Sequence, residues 1–535
     1  MSTEPKTDEV LAPSGASDTP STPPAHDTTT NHDSNGNTRK TRLRTLLSKA
    51  AAFGRVEVRG ITPIPVKERT VARTVNVFTL WWSMNTNILG CAPNLLYIIY
   101  SSQHNTDKKS ITFGLLAPVY GLALRDASLV ILFFTLLTTI LPAYLATWGP
   151  RIGMRQMLQA RYSFGRYLVS VPVLLNLATL MGFCVIMAVV GGLCLSSVPE
   201  DAGALSVTVG IVVIAVVTVG ISFCGFTVLH VYERYAWIPA TVALIVAVGT
   251  GGGELRKQVV YDGVERLPPT AAAVLSFGMI VASYMVPWAC LSSDFTTYLR
   301  PDTSSTKIFT YTYLGLALPT ILLMTLGAAI GNAIPNVPAW QAAYDRTLVG
   351  GVLAAMLAPA GGFGKFLVVI LSFSLLGNMA ATSYSITLNL QLLLPWLVKV
   401  PRYLFSIVFA AVVIPVAIKA AGEFFENLEN FVALIGYWSS AFLAIVLVEH
   451  FVFRGGDCGA YEFDAWNDAK RLPWGVAALA AGVLSFGLVV PSMAQVWWTG
   501  PIAETTGDIG FELAFAVSGV LYVPLRWVER HWTGR

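Results

Sequence analysis

Five polar residues recur along one helical face of an otherwise apolar stretch: Ser374, Asn378, Thr382, Ser385 and Asn389, spaced by four, four, three and four positions. Uncharged amides and hydroxyls at that spacing can hydrogen-bond along the edge of a neutral solute, and the Asn378 amide can donate and accept at once. The plainer reading is tight helix packing through a small-residue stripe, Gly377, Ala381 and Ser385. An Asn378 amide buried without partners would, however, cost about 2 kcal/mol or more. Two other stretches carry comparable chemistry. Trp81-Trp82-Ser83-Met84-Asn85-Thr86-Asn87 runs toward Gly90 and Pro93, and Pro287-Trp288 runs toward Ser292, Ser293 and Asp294. Each interrupts an apolar run with polar and helix-breaking residues, where a continuous helix would be strained. Trp288 beside such a break could stack on a flat ring or serve as an interfacial anchor. His104, His230, His450 and His531 lack metal-ligand spacing and read as solvated or capping residues. No Walker loop, GxSxG elbow or HExxH is present, so the sequence points to solute binding without an enzymatic step, a metal or a cofactor.

The elements that must position these residues are membrane helices. Of 535 residues, 54% are hydrophobic and 12% charged, against roughly 25% charged in an ordinary soluble domain. Twelve apolar runs, 75–99, 113–147, 166–196, 205–226, 235–252, 272–292, 308–332, 363–395, 402–420, 428–450, 473–492 and 509–528, are long enough to cross a hydrocarbon core of ~30 Å. The run 113–147 is expected to contain a short pre-helix up to Arg125, and 166–196 and 363–395 to tilt or extend past the membrane. Residues 1–54 read as a disordered tail ending in a basic stretch, and 55–530 as one polytopic domain. The six cysteines are scattered, mostly within apolar runs, and read as buried thiols.

With the tail inside, the inward loops hold twelve Lys and Arg residues and the outward loops seven, which places both termini in the cytoplasm. The net charge of +4 follows this topology and implies no nucleic-acid partner. Intramembrane charge is sparse: Arg125, Asp126, Asp294, Glu449 and His450 all lie toward helix ends. Charged cargo usually demands charge within the membrane, so a neutral cargo is expected. If spans one to five (about 75–252) and six to ten (about 272–450) are inverted repeats, followed by two further helices (about 473–528), the two interruptions occupy equivalent places. That is the pattern of transporters whose site is built at the midplane from broken helices.

Gly149-Pro150-Arg151-Ile152-Gly153-Met154-Arg155-Gln156-Met157, running into Arg161-Tyr162-Ser163-Phe164-Gly165, resembles the loop between the second and third helices in the purine–cytosine permease branch of the nucleobase:cation symporter-1 family, particularly its fungal members. Gly121–Asp126, Tyr232–Pro239 and Asp294–Pro301 leading to Lys307-Ile308-Phe309 support the resemblance, which spans roughly 55–450. It implies an all-α, twelve-helix fold of the leucine-transporter type with five-plus-five inverted repeats. It also implies proton-coupled uptake at the plasma membrane. By the same resemblance, Ser83 is a small polar residue near substrate, Trp288 the tryptophan that stacks on the base, and Asn378 the first member of an Asn pair. Asn85 in the first interruption joins this set as a candidate.

The chain also departs from the family pattern. Phe183 and Met187 stand where relatives carry Trp and Asn on the third helix, Met379 replaces the second Asn of the eighth, and Ala381 replaces the following Pro. Two amides are absent, which argues for a ring less polar than cytosine or differently substituted. The polar run Ser101–Ser110 reads as an insertion. A sodium site in this fold would use first-helix carbonyls and an eighth-helix hydroxyl, for which Ser374 is the candidate, while Asp294 is a coupling or gating candidate. The expected function is a permease that moves a neutral nitrogen heterocycle of the purine or cytosine type, powered by a proton or sodium gradient. Vitamin B6 or an allantoin- or uracil-like solute, or binding without transport, are the alternatives.

Overall fold

The computed structural model describes residues 60–91, 121–199, 204–223, 234–258, 269–394, 402–422, 424–495 and 497–535, with 232, 396, 397 and 400 besides. The expected tail over 1–54, the polar run Ser101–Ser110 and the apolar stretch up to residue 120 lie outside the described residues. Each of the twelve expected spans carries helix. The first is Val75–Asn85 followed by Ile88–Cys91. Leu124–Ala146, Ser170–Ser196, Val207–Phe223 and Trp237–Gly251 complete the first half, and Ala271–Met285 opens the sixth span. Ser305–Ala333, Gly361–Phe373 joined to Leu375–Leu393, Arg402–Ala420, Phe424–Val448, Val476–Ser492 and Gly510–Thr533 follow. Large apolar side chains such as Phe133, Leu137, Ile245, Leu322, Val483 and Val520 stand more than half exposed on the outer faces, as lipid-facing residues do.

Helices approach closely where small residues meet. A Cβ added to Gly210 on the fourth span would lie 2.6 Å from the Gly192 carbonyl oxygen on the third, so the two backbones are in contact. The second span starts at Leu124, with Asp126 in its first turn and Ala123 as an extended N-cap, and most of the pre-helix expected up to Arg125 falls outside the described residues. Two expectations need correcting. The stretch after the seventh span, expected as an outward loop around Arg346, is the helix Pro338–Leu357. Pro338 sets its first turn, but Asp345, Arg346 and the pair Gly350-Gly351 erase the apolar period, so no helical periodicity is legible there. This helix kinks at Thr347 and Leu348, the latter at φ 52°, a conformation that strains a side-chain-bearing residue by about 1 kcal/mol or more. His450, expected to be solvated or capping, is buried at 1% exposure, with its ring 4.3 Å from that of Trp148.

The first span breaks because its own side chains outcompete the helical ladder. Asn85 Nδ2 donates to the Trp81 carbonyl at 3.0 Å, Thr86 Oγ1 to that of Trp82 at 2.7 Å, and Asn87 Nδ2 to that of Met84 at 2.6 Å. Thr86 then leaves helical geometry at φ −84°, ψ 71°. Asn87 restarts the chain as an N-cap, its Oδ1 accepting from the Leu89 N–H at 2.8 Å. The sixth span breaks by a different route. After Met285 it tightens into the 3-10 turns Val286–Cys290 and Ser292–Phe295, with Pro287 supplying no N–H to continue the α-ladder and Leu291 at φ −139°, ψ 3° between them.

Candidate substrate site

The two breaks face the third and eighth spans across a small closed cavity of about 20 Å³. Leu89 contributes from the first span, Thr179, Leu180, Phe183 and Met187 from the third, Tyr284, Pro287, Trp288 and Leu291 from the sixth, and Asn378 and Thr382 from the eighth. None of these eleven residues is charged. The structure thus brings Phe183, Met187, Trp288 and Asn378 together as the sequence expects. Ser83, Asn85 and Ala381 are buried at 4%, 1% and 0% exposure, but they do not line the cavity. The reason is rotational. The wall of the first span at this level comes from Leu89, beyond the break, and Ala381 is turned off the face that carries Asn378 and Thr382.

Thr179 and Tyr284 are lining residues that the sequence pattern did not single out, while Thr382 lines the cavity from the polar face read on the eighth helix. Helical spacing was the available signal: Thr179 lies four positions before Phe183, Tyr284 four before Trp288, and Thr382 four after Asn378. Trp288 is held by Trp81, fully buried, whose ring meets it edge-on at 5.6 Å and 83°, and Trp81 meets Phe295 the same way at 5.4 Å. Such edge-to-face pairs fix ring orientation. Thr179 donates to the Leu175 carbonyl at 2.9 Å and accepts from Trp438 Nε1 at 3.1 Å, which anchors the tenth span beside the third.

Asn378 does more than line the cavity. Its Nδ2 donates to the Met84 carbonyl oxygen at 2.9 Å, and its Oδ1 accepts from Thr382 Oγ1 at 3.1 Å. Four residues earlier on the same helix, Ser374 Oγ accepts from the Ile88 N–H at 3.3 Å and donates to the Leu371 carbonyl at 2.6 Å. The carbonyl and the N–H that the first-span break releases are therefore taken up by two eighth-span side chains. For the Ile88 N–H this is the bond that replaces the helical one, and for the Met84 carbonyl it adds to the bond from Asn87.

Asp294 sits apart from the cavity. It is buried at 4% exposure, with Oδ1 accepting from the Gln156 N–H at 2.8 Å and Oδ2 from Ser385 Oγ at 3.3 Å. Its main-chain oxygen accepts from Arg155 Nη1, and the Arg155 guanidinium lies over the Tyr298 and Tyr384 rings at 5.3 and 5.5 Å. Ser293 and Thr296 add hydroxyl bonds to the Leu145 and Ala146 carbonyls at 2.8 and 2.7 Å. The loop after the second span, the end of the sixth and the eighth are thereby knotted together on the side of the basic loops.

The segment before the first span is tied into the same face. Arg69, 4% exposed, donates to the carbonyls of Ile64, Pro150, Arg151 and Ile152 at 2.7, 2.9, 3.2 and 3.4 Å. The last three close the short helix Trp148–Ile152, whose C-cap Gly153 adopts φ 72° and leaves room for the guanidinium. A Cβ on Gly153 would fall 1.9 Å from Arg69 Nη2. Further along this loop Arg161 is 3% exposed; burial lowers its guanidinium to about 10, so it stays charged at neutral pH while donating to Trp466 O and Asn467 Oδ1, each at 3.0 Å. No group of three or more His, Cys, Asp or Glu residues able to hold a metal occurs among the described residues.

Comparison with known proteins converges on one family. The family described as permease for cytosine/purines, uracil, thiamine, allantoin matches residues 63–511. A purine-cytosine permease of Emericella nidulans is 32% identical over 91% of this chain and 92% of its own, and one of Saccharomyces cerevisiae is 32% identical over 90% and 87%. The vitamin B6 transporter of Saccharomyces cerevisiae is 29% identical over 80% of this chain and 82% of its own. Among solved structures, the nucleobase-cation-symport-1 transporter Mhp1, closed with bromovinylhydantoin bound, superposes with a TM-score of 0.62 at 18% identity, over 88% of this chain and 96% of that one. That agreement extends the leucine-transporter-type fold to this protein. With the family matched across 63–511 and curated relatives aligned along nearly the whole chain, the protein belongs to the cytosine/purine, uracil, thiamine and allantoin permease family.

Proposed function

We propose that this protein is a permease of the plasma membrane, with both termini cytoplasmic, that imports a neutral nitrogen heterocycle of the purine-base or cytosine type by alternating access, without enzymatic turnover. The observation that carries this reading is the cavity wall, where aromatic Trp288 and Phe183 meet the neutral hydrogen-bonding groups of Asn378, Thr382 and Thr179 and no charge is present. An indole face covers a flat ring, and hydroxyls and an amide oxygen meet its polar edge. The names of the purine-cytosine permeases that align along the chain support the same class of cargo. A vitamin B6 compound is the second reading. It is favoured by the apolar Phe183 and Met187 in the wall and by the similarity to a vitamin B6 transporter.

Radiolabelled uptake in transporter-null cells, with unlabelled cytosine, adenine, hypoxanthine and pyridoxine as competitors, tests the cargo. Competition by the bases is expected. Competition by pyridoxine alone would transfer the assignment to the second reading, and saturable binding without accumulation would remove transport altogether. Proton symport is the proposed energy source, with no prosthetic group. An uncoupler should abolish accumulation, whereas uptake insensitive to it but dependent on sodium would replace protons with sodium.

A further inference from the structure

A second cavity, of about 300 Å³, opens on the side of the basic loops, away from the substrate site. Its walls are the end of the second span with Trp148 and Arg151, the first turn of the seventh span with Ser305 and Thr306, and the turn that follows the tenth span with His450 and Cys458. Some of its polar groups are donors without an acceptor, whereas Thr147 Oγ1 is bonded to the Tyr144 carbonyl at 2.7 Å and Arg151 stands beside the Cys458 thiol. The 29-residue helix Ser305–Ala333 begins here, and its N-cap Ser304 offers no side-chain bond. The Ile308 N–H bonds back to the Ser304 carbonyl, and among the described residues the preceding N–H groups of 305–307 have no partner. Ser305 Oγ is buried, also without a partner.

His450 supplies an independent observation. At 1% exposure its one hydrogen bond runs between Nδ1 and the Tyr461 hydroxyl at 3.3 Å, which leaves Nε2 unpartnered in the cavity wall. Burial pushes the Tyr461 hydroxyl up, so it stays protonated and donates to Nδ1, and Nε2 can then carry the ring proton.

The surrounding charge favours an anion. Arg151 is exposed and makes no ion pair among the described residues, and Lys307 stands in the same first helical turn. Glu449 is consumed by Arg454 at 3.0 Å, Arg526 at 3.1 Å and the Tyr522 hydroxyl at 2.9 Å. Asp457, the nearby acid, spends Oδ1 on the Gly459 N–H at 2.7 Å. Burial raises the Cys458 thiol, so it adds no negative charge. Phe309 is an apolar residue of the wall, and Phe451, 54% exposed, stacks on the wall residue Tyr144 at 5.5 Å.

We propose that this cavity binds a phosphate group, through Arg151, the His450 Nε2–H, the Ser305 hydroxyl and the free N–H groups that open the seventh span. A helix N-terminus, a guanidinium and an imidazole N–H converging from three elements suit a tetrahedral oxyanion. The phosphate can come from an anionic phospholipid of the inner leaflet or from solution, and Phe309 in the wall with exposed Phe451 stacked on Tyr144 favours the lipid.

The test uses the purified full-length protein in detergent, with thermal stability followed during separate titrations of phosphatidic acid, diacylglycerol with the same acyl chains, and inorganic phosphate. Ligand that binds only the folded state raises the melting temperature in proportion to occupancy. Phosphatidic acid should stabilise and diacylglycerol should not, with half-saturation weakened about tenfold or more in Arg151→Gln. Thr306→Leu, which fills the mouth without removing a charge, should weaken it as well and serves if the Arg151 variant does not fold. Stabilisation by inorganic phosphate as strong as that by the lipid would assign the site to free phosphate. Equal effects of phosphatidic acid and diacylglycerol, or an undiminished response in both variants, would overturn the proposal. The readout is binding, so the result stands apart from any outcome of the uptake assays.

Discussion

Asn378 offers a test that separates holding the site open from touching its contents. Its Nδ2 is committed to the Met84 carbonyl at 2.9 Å, in a region where the first-span break leaves that oxygen without its helical donor. Asn87 also donates to the same oxygen, at 2.6 Å, so one of two bonds is at stake. With the Asn87 bond retained, losing the second hydrogen bond costs roughly 0.5–1.5 kcal/mol, a factor of about 2 to 13 in any equilibrium that requires the intact break. Asn378→Ala should reduce uptake by at least that factor while surface expression stays normal. Asn378→Asp is the sharper variant. It keeps the acceptor oxygen that Thr382 uses and a cargo could use, but it replaces the donor with a second acceptor aimed at the Met84 oxygen. Aspartate should therefore be as damaging as alanine, or worse, in uptake by transporter-null cells and in the melting temperature of the purified protein. If Asn378→Asp transports as well as the wild type, the bond to Met84 contributes nothing and the eighth span does not hold the break. If alanine also transports normally, the residue is mere packing.

Trp288→Phe should weaken apparent affinity modestly and Trp288→Ala severely, because phenylalanine keeps a ring face for about 0.5–1.5 kcal/mol of aromatic contact; equal affinities in the two variants, measured by competition, would remove the stacking role. Arg69→Ala leaves the carbonyls of Ile64, Pro150, Arg151 and Ile152 without their shared donor, so the melting temperature should fall in line with a loss of about 3 kcal/mol or more. Arg69→Lys should rescue it only in part because an ammonium lacks the planar fork; a melting temperature unchanged in Arg69→Ala would refute the strap. Asp294→Ala removes the acceptors of the Gln156 N–H and Ser385, so this knot should loosen and Cys290, fully buried four residues away, should react faster with a thiol reagent added from the side of the basic loops. An unchanged labelling rate would show that Asp294 does not hold this face closed.

Much of this architecture is legible in the residues because the membrane enforces it. A chain so poor in charge must hide its backbone in helices, and hydropathy alone finds twelve. The two breaks are equally legible, since Asn85-Thr86-Asn87 and Pro287 each act on the backbone within a few residues of themselves. What crosses between spans is not. Ser83 and Asn85 look like site residues because they are polar and sit at the break; Asn85 Nδ2 is bonded within its own helix to Trp81 while its Oδ1 is buried without a partner, and Leu89 is the first-span residue that lines the cavity. Asp294 looks like a residue in search of a proton, but its partners Gln156 and Ser385 come from 138 and 91 positions away, a pairing that no local pattern announces. The environment of His450 is hidden for the same reason, because Trp148 and Tyr461 reach it from other parts of the chain.

The size of the cavity adds a last step. About 20 Å³ of space holds roughly one water molecule, so no six-membered ring fits between Trp288 and Phe183 in this conformation. A permease with this site must widen it to load cargo, and the contacts indicate where widening is least costly. The side of the basic loops is bound by Arg69, Arg155 and Asp294, through buried bonds whose rupture would leave charged or backbone groups without partners. Around the cavity itself the third-span wall consists of Leu180, Phe183 and Met187, which can separate from Trp288 by sliding apolar surface past apolar surface and breaking no ion pair. Loading of this conformation should therefore begin by displacing the third and tenth spans, joined through Thr179 and Trp438, from the sixth, with the knot on the side of the basic loops still tied.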